Sequence, residues 1–234
     1  MVPWVNPMKY KGMIEGRFIR RRNRFIAEVA VNGQEEAVHV RNTGRLRELF
    51  VKDAPVLLEP SSNPERKTRY SLVCVQKSGQ WVNVDSTAPN QIVEEMVRSG
   101  RLFSDVTYLK REKTFGNSRF DLYVEHGGRK HYIEVKGVTL EVDGAARFPD
   151  APTERGVKHI HELVEARHQG YEASIVFVIQ MKGVNRFEPN RDTHPEFADA
   201  LREAFAEGVE VLAFDCMVTE DSLAADLSIP VNLG

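Results

Sequence analysis

Short stretches of apolar residues interrupted by polar ones fill the first third of the chain, at 12–18, 25–31, 38–40, 55–58, 70–75 and 81–84. Runs of this length, rich in Val, Ile, Leu and aromatic residues, predict strands. Asn32-Gly33, between the second and third runs, predicts a two-residue hairpin because both residue types tolerate positive φ. Asn42-Thr43-Gly44 and Ser61-Ser62-Asn63-Pro64 carry turn chemistry. With a short helix expected near 45–50, the five or six strands predict a small closed β-barrel of the OB type over residues 1–85. From residue 86 the period changes. Ile92, Val93, Met96 and Val97 form a helical stripe, with Asn90 as its cap and Gly100 as its stop. Val157, Ile160, Leu163 and Val164 form another stripe over 153–168, and a further helix is expected over 195–207. Strands are predicted at 120–125, 130–135, 174–180 and 209–214. Strands alternating with helices predict an α/β unit over 86–234. The fold class expected is therefore α+β / α/β in two domains.

Composition narrows the class. The 234 residues are 41% hydrophobic and 28% charged, values of an ordinary folded protein. The most apolar stretch, 173–181, is far shorter than the ~20 residues of a spanning helix, so no membrane partner is expected. No apolar run of signal-peptide length occurs in residues 1–10. Two cysteines, Cys74 and Cys216, exclude a disulfide framework and a Cys₄ zinc site and favour the reducing cytoplasm.

The net charge of −2 conceals an asymmetry. Residues 1–85 hold 15 Lys/Arg against 9 Asp/Glu, and residues 86–234 hold 17 against 25. A basic amino-terminal module implies an anionic partner. Arg20, Arg22 and Arg24 beside Phe25, then Arg41 and Arg45, then Arg66 and Lys67, form three clusters suited to phosphate contact and base stacking. Arg155, Lys158 and His159 at the start of the 153–168 helix extend the candidate nucleic-acid surface. Their charge at a positive helix end is relieved if phosphate binds there.

The chemistry concentrates at Asp121, Glu134 and Lys136. Asp121 lies on one predicted strand, and Glu134 and Lys136 lie on one face of the next. Gly127-Gly128 supplies the turn that brings them together. Two carboxylates suit Mg²⁺ (or Mn²⁺), and a lysine beside them offsets charge in a phosphodiester transition state. A third acid is sought among Glu94, Glu95 and Glu112, with Glu95 assigned as the ligand. Acid followed by acid-x-lysine across two strands resembles the PD-(D/E)xK nuclease-like fold, with Phe120 where a proline usually precedes the first acid.

A wider resemblance rests on Glu134-Val135-Lys136-Gly137-Val138-Thr139-Leu140, Phe148-Pro149-Asp150-Ala151, Thr153-Glu154-Arg155-Gly156 and Lys158-His159. His39 with Asn42-Thr43-Gly44, Asn90 with Glu95, and Gly116 with Ser118, Arg119 and Asp121 agree with it. These segments closely resemble the sugar fermentation stimulation protein A family. The resemblance implies an amino-terminal OB-like domain, a nuclease-like second domain, DNA binding and a role in regulating sugar (maltose) metabolism genes. Where that family often has Cys-x-Asn-Thr-Gly-x-Met, this chain has Val40-Arg41-Asn42-Thr43-Gly44-Arg45-Leu46. Two functions are expected to compete: a Mg²⁺-dependent nuclease, and a non-catalytic DNA-binding regulator that keeps the fold. A homodimer is an ordinary state for either.

Overall fold

The computed structural model describes residues 6–234; residues 1–5, part of the amino-terminal stretch read above, lie outside the described residues. A two-residue strand β1 (Met8–Lys9) precedes six strands: β2 (Ile14–Arg21), β3 (Ile26–Val31), β4 (Gln34–Val40), β5 (Pro55–Pro60), β6 (Tyr70–Lys77) and β7 (Gln80–Asn83). Their order is β4-β3-β2-β5-β6-β7, and β4 also pairs with β6, which closes five strands into the expected OB-type barrel. Phe18, Val29, Val38, Leu58 and Leu72 fill it. Asn32 (φ 50) and Gly33 (φ 79) make the β3–β4 hairpin turn as predicted.

The helix expected near 45–50 is instead a series of turns. Leu46 is left-handed (φ 49), which interrupts any right-handed helix, and its side chain is buried in the barrel. Arg21 holds the loop: its guanidinium donates to the carbonyls of Arg24 (2.8 Å), Asn42 (2.6 Å), Gly44 (2.6 Å) and Arg45 (3.1 Å).

The second unit comprises α1 (Ala88–Arg98), β8 (Val106–Phe115), β9 (Ser118–His126), β10 (Arg129–Val138), β11 (Leu140–Val142), β12 (Ala145–Phe148), α2 (Glu154–His168), β13 (Glu172–Ile179), β14 (Arg186–Pro189), α3 (Pro195–Ala206), β15 (Glu210–Val218) and β16 (Ser222–Ser228). Its seven-stranded sheet runs β1-β16-β15-β13-β10-β9-β8, with β10, β13 and β15 mutually parallel at the centre. β1 thus pairs with β16, Met8 opposite Leu223, and not with the barrel. A small sheet β11-β12-β14 lies apart. α1 buries Ile92, Val93, Met96 and Val97 against Ile133, Val135, Val176 and Val178. α2 and α3 pack together on a separate cluster with Phe120, Tyr132, Ile175 and Phe177.

Helix ends differ from expectation at one point. Thr153 caps α2 by accepting from the Gly156 amide (3.0 Å), as predicted. The cap of α1 is Thr87 and not Asn90, because Pro89 occupies the first turn and draws the helix start forward.

Buried hydrogen bonds tie the two units. The Asn83 amide donates to the Gln180 carbonyl (2.9 Å). Gln180 Nε2 donates to Asn83 Oδ1 (2.8 Å) and the Asp85 carbonyl (3.0 Å), and Asn83 Nδ2 donates to the Tyr10 hydroxyl (3.0 Å). Every member is paired, so the junction is stiff.

Candidate metal centre

β9 and β10 pair antiparallel from Arg129↔His126 to Ile133↔Leu122, and there the ladder ends. One residue further, the Asp121 side chain takes over the main-chain role: Oδ2 accepts the Val135 amide at 2.8 Å. Oδ1 accepts from Asn90 Nδ2 of α1, also at 2.8 Å. Glu134 and Lys136 share a face of β10, as strand alternation requires. Lys136 Nζ donates to Glu134 Oε1 at 2.5 Å.

His159 of α2 completes the group. Its Nδ1 is 2.6 Å from the same Glu134 Oε1, and Arg155 Nε donates to its Nε2 (3.3 Å). Glu134 is 2% exposed, and its second oxygen, Oε2, is buried with no protein partner. A buried carboxylate oxygen without a donor is costly unless something else takes its lone pairs. That orphaned oxygen, on a carboxylate close enough to Asp121 to raise its pKa, fits a divalent ion. Among the described residues no third His, Cys, Asp or Glu joins them in a metal-holding group. A set of two carboxylates suits an ion that keeps several waters, as Mg²⁺ does.

Electrostatics divide the two acids. Burial and the adjacent Glu134 push the Asp121 carboxyl above its ordinary range. Burial acts in the same sense on Glu134, but hydrogen bonds from His159 and Lys136 outweigh it and hold that carboxyl below its ordinary range. Two acids driven apart by their surroundings are a common feature of functional sites.

The remaining sequence-derived residues distribute unevenly. Glu95 is half-buried on α1, and none of the hydrogen bonds at the acid pair involves it; Asn90, five residues earlier, is the α1 residue that reaches Asp121. Glu94 pairs with Arg98 and Arg111, and Glu112 with Arg119. His159 is not on an open nucleic-acid face but 5% exposed in the centre just described, because it lies on the buried side of α2, four residues before Leu163. Arg155 supports it. Arg41 is likewise a correction: it is a strut, donating to Asp85 (2.9 Å) and Glu59 (3.1 Å) where the barrel meets the second unit. Arg20 and Arg22 both pair with Glu28, Arg66 donates to Ser71, and Lys158 donates to the Asn117 carbonyl and pairs with Glu162. Arg24, Phe25, Arg45 and Lys67 are exposed, and among the described residues no carboxylate pairs with these three cations. Asn90 as an acid-holding residue was not foreseen; its signal, an amide in the first turn of the helix, reads first as a cap.

Comparison with known proteins agrees with this architecture. The pattern of the SfsA N-terminal OB domain matches residues 19–84, and that of the sugar fermentation stimulation protein RE domain matches residues 87–222. A sugar fermentation stimulation protein homolog from Clostridium beijerinckii is 51% identical over 216 residues, covering 92% of this chain and 96% of that one. Its counterpart from Alkaliphilus oremlandii is 52% identical over 223 residues, covering 92% and 95%. The solved structure of Pyrococcus furiosus SfsA in complex with Ca²⁺ matches with a TM-score of 0.89 at 28% identity, over 96% of this chain and 98% of that one. No helix among the described residues is long and apolar enough to cross a membrane.

Proposed function

The chain belongs to the sugar fermentation stimulation protein family, and on that footing we propose that it binds DNA and cleaves phosphodiesters with a divalent ion held by Asp121 and Glu134. The observation that carries the reading is the orphaned Oε2 of buried Glu134, a carboxylate coupled electrostatically to Asp121, itself oriented by Val135 and Asn90. The Ca²⁺ in the complex of the Pyrococcus furiosus relative supports a divalent cation in this chain too.

A bound Mg²⁺ or Mn²⁺ supplies Lewis acidity toward the phosphodiester and a water of lowered pKa. The chain's own residues do the rest. Val135 and Asn90 fix the Asp121 carboxylate, so it is not reorganised when the substrate arrives. Lys136 and His159 saturate one oxygen of Glu134 and leave the other for the ion. The Lys136 side chain, 18% exposed, can turn toward the scissile phosphate to orient the attacking water and offset developing charge. We assign residues 1–85 to nucleic-acid capture and residues 86–234 to the chemistry, in a cell context of sugar utilisation that the family's name carries.

A second reading, a regulator that only holds DNA, is favoured by the same network: Glu134 Oε1 is neutralised within the chain by Lys136 and His159. The deciding experiment is cleavage of labelled single- and double-stranded DNA with Mg²⁺ or Mn²⁺, with Asp121→Ala, Glu134→Ala and Lys136→Ala proteins alongside. Metal-dependent cutting by the parent and by none of the variants establishes the nuclease. DNA binding with no cutting by the parent establishes the regulator.

A further inference from the structure

A cleft of about 530 Å³ separates the barrel from the carboxyl ends of β10 and β13. One wall is the barrel loop carrying Arg24, Gly44 and Arg45; the other includes Gly137, Arg147 and Thr153. Gly137 directly follows Lys136, so the cleft ends at the acid pair's own strand. Ligands of open α/β sheets bind beyond the carboxyl ends of the strands.

The chemistry of the walls is that of a polyanion site. Arg24 and Arg45 are exposed on one side and free of carboxylate partners among the described residues. Arg147 faces them, held only loosely by Glu188 (3.6 Å) and Asp192 (3.9 Å). The acid within the cleft, Asp150, is engaged by the Arg45 amide at 2.8 Å. Phe25, the chain neighbour of Arg24 and not itself part of the lining, is 54% exposed. An aromatic ring kept in water beside cations is what base stacking uses.

The walls resist spreading. Asn83, Asp85 and Gln180 lock one end. At the other, Gly44 lies so close to Asp150 that an added Cβ would come within 2.6 Å of Oδ2.

We infer that this cleft takes a single nucleic-acid strand, its phosphates on Arg24, Arg45 and Arg147 and an unpaired base stacked on the neighbouring Phe25, and that it prefers that strand to a duplex, whose bases are already stacked on one another. The inference deepens the nucleic-acid reading above and rests on it. Fluorescence anisotropy tests it with a labelled strand of about 15 nucleotides, as DNA and as RNA, against the matching DNA duplex. Titrations are run in Ca²⁺ with the parent, Phe25→Ala and Arg45→Ala proteins, and repeated with Asp121→Asn.

A DNA or RNA strand bound at least tenfold tighter than the duplex, with about a tenfold loss in each of Phe25→Ala and Arg45→Ala at unchanged melting temperature, supports the inference. The stronger of the two strands identifies the sugar. Duplex bound as tightly as either strand, or variants that bind single strands like the parent, overturns it. Strand capture without any Mg²⁺-dependent cutting would remove the nuclease reading alone, whereas cutting with duplex preference would remove only the single-strand inference.

Discussion

His159 Nδ1 stands 2.6 Å from Glu134 Oε1, with both side chains buried and each supplied by a different layer of the fold. Arg155 donates to the opposite ring nitrogen, so Nε2 is the acceptor and Nδ1 carries the proton given to Glu134. A helix thereby fixes the rotamer of a strand carboxylate and determines which of its oxygens remains open.

Removing that contact is expected to loosen the metal. His159→Ala should weaken Mn²⁺ binding by about 10–100-fold, the usual effect of losing a partner of a metal ligand. His159→Asn, whose amide can donate from the same place, should recover most of the loss. Isothermal titration with Mn²⁺ measures both, and equal affinity in all three proteins would deny His159 this role.

Arg41 bridges Asp85, fully buried, and Glu59. Arg41→Ala strands the Asp85 charge and should destabilise the fold by about 3–5 kcal/mol. Arg45→Ala, on the open cleft wall, should stay within about 0.5 kcal/mol. Urea denaturation of the two variants separates a strut from a surface cation.

Gly137 is confined: an added Cβ would lie 2.6 Å from Gln180 Oε1 and 2.8 Å from the Pro89 ring. The proline ring cannot yield, and Gln180 is held by its own bonds. Gly137→Ala should therefore cost about 1–3 kcal/mol of stability and shift Lys136 with it. The checks are a urea melt and the cleavage rate at saturating Mg²⁺.

His131 gives the stability an acid slope. Burial, reinforced by the nearby His126, pushes its pKa down to about 3, while its Nε2 lies 2.5 Å from Ser174 Oγ. An unfolded histidine titrates near 6.5. Between about pH 6.5 and 3 the unfolded chain therefore binds a proton that the folded chain refuses, and stability falls as pH is lowered through this window. His131→Gln should flatten the slope by up to about 1.4 kcal/mol per pH unit. Urea midpoints at pH 7, 6 and 5 read it directly; parallel slopes in parent and variant would contradict the assignment.

The acid pair was legible because its signals are local. Gly127 (φ 52) and Gly128 (φ 76) form the expected turn, and strand alternation alone puts Glu134 and Lys136 on one face. Thr153 is legible for the same reason, since a cap lies three residues from its partner. Arg41 was not, because its buried partner Asp85 is 44 positions away and nothing in the sequence distinguishes a strut from a surface cation. β8 is not legible because it is an edge strand whose Lys110-Arg111-Glu112 run is exposed, leaving Val106, Leu109 and Phe115 only partly buried. His159 looked like one more cation at a helix end, and only the packing of α2 turns it inward.

The pairing of β1 with β16 orders events on the ribosome. Lys9 meets Asp221 across 212 positions, so β1, the first strand among the described residues, must wait for β16. The barrel between them needs no residue beyond 83 for its own strands and can close while synthesis continues. α1, β9, β10 and α2, which carry the acid pair and its supports, have all emerged by His168, before the strand β13 that flanks β10 exists. The residues of the acid pair are thus synthesised early, and the sheet that holds them is completed only once Ser222–Ser228 is available to pair with Met8–Lys9.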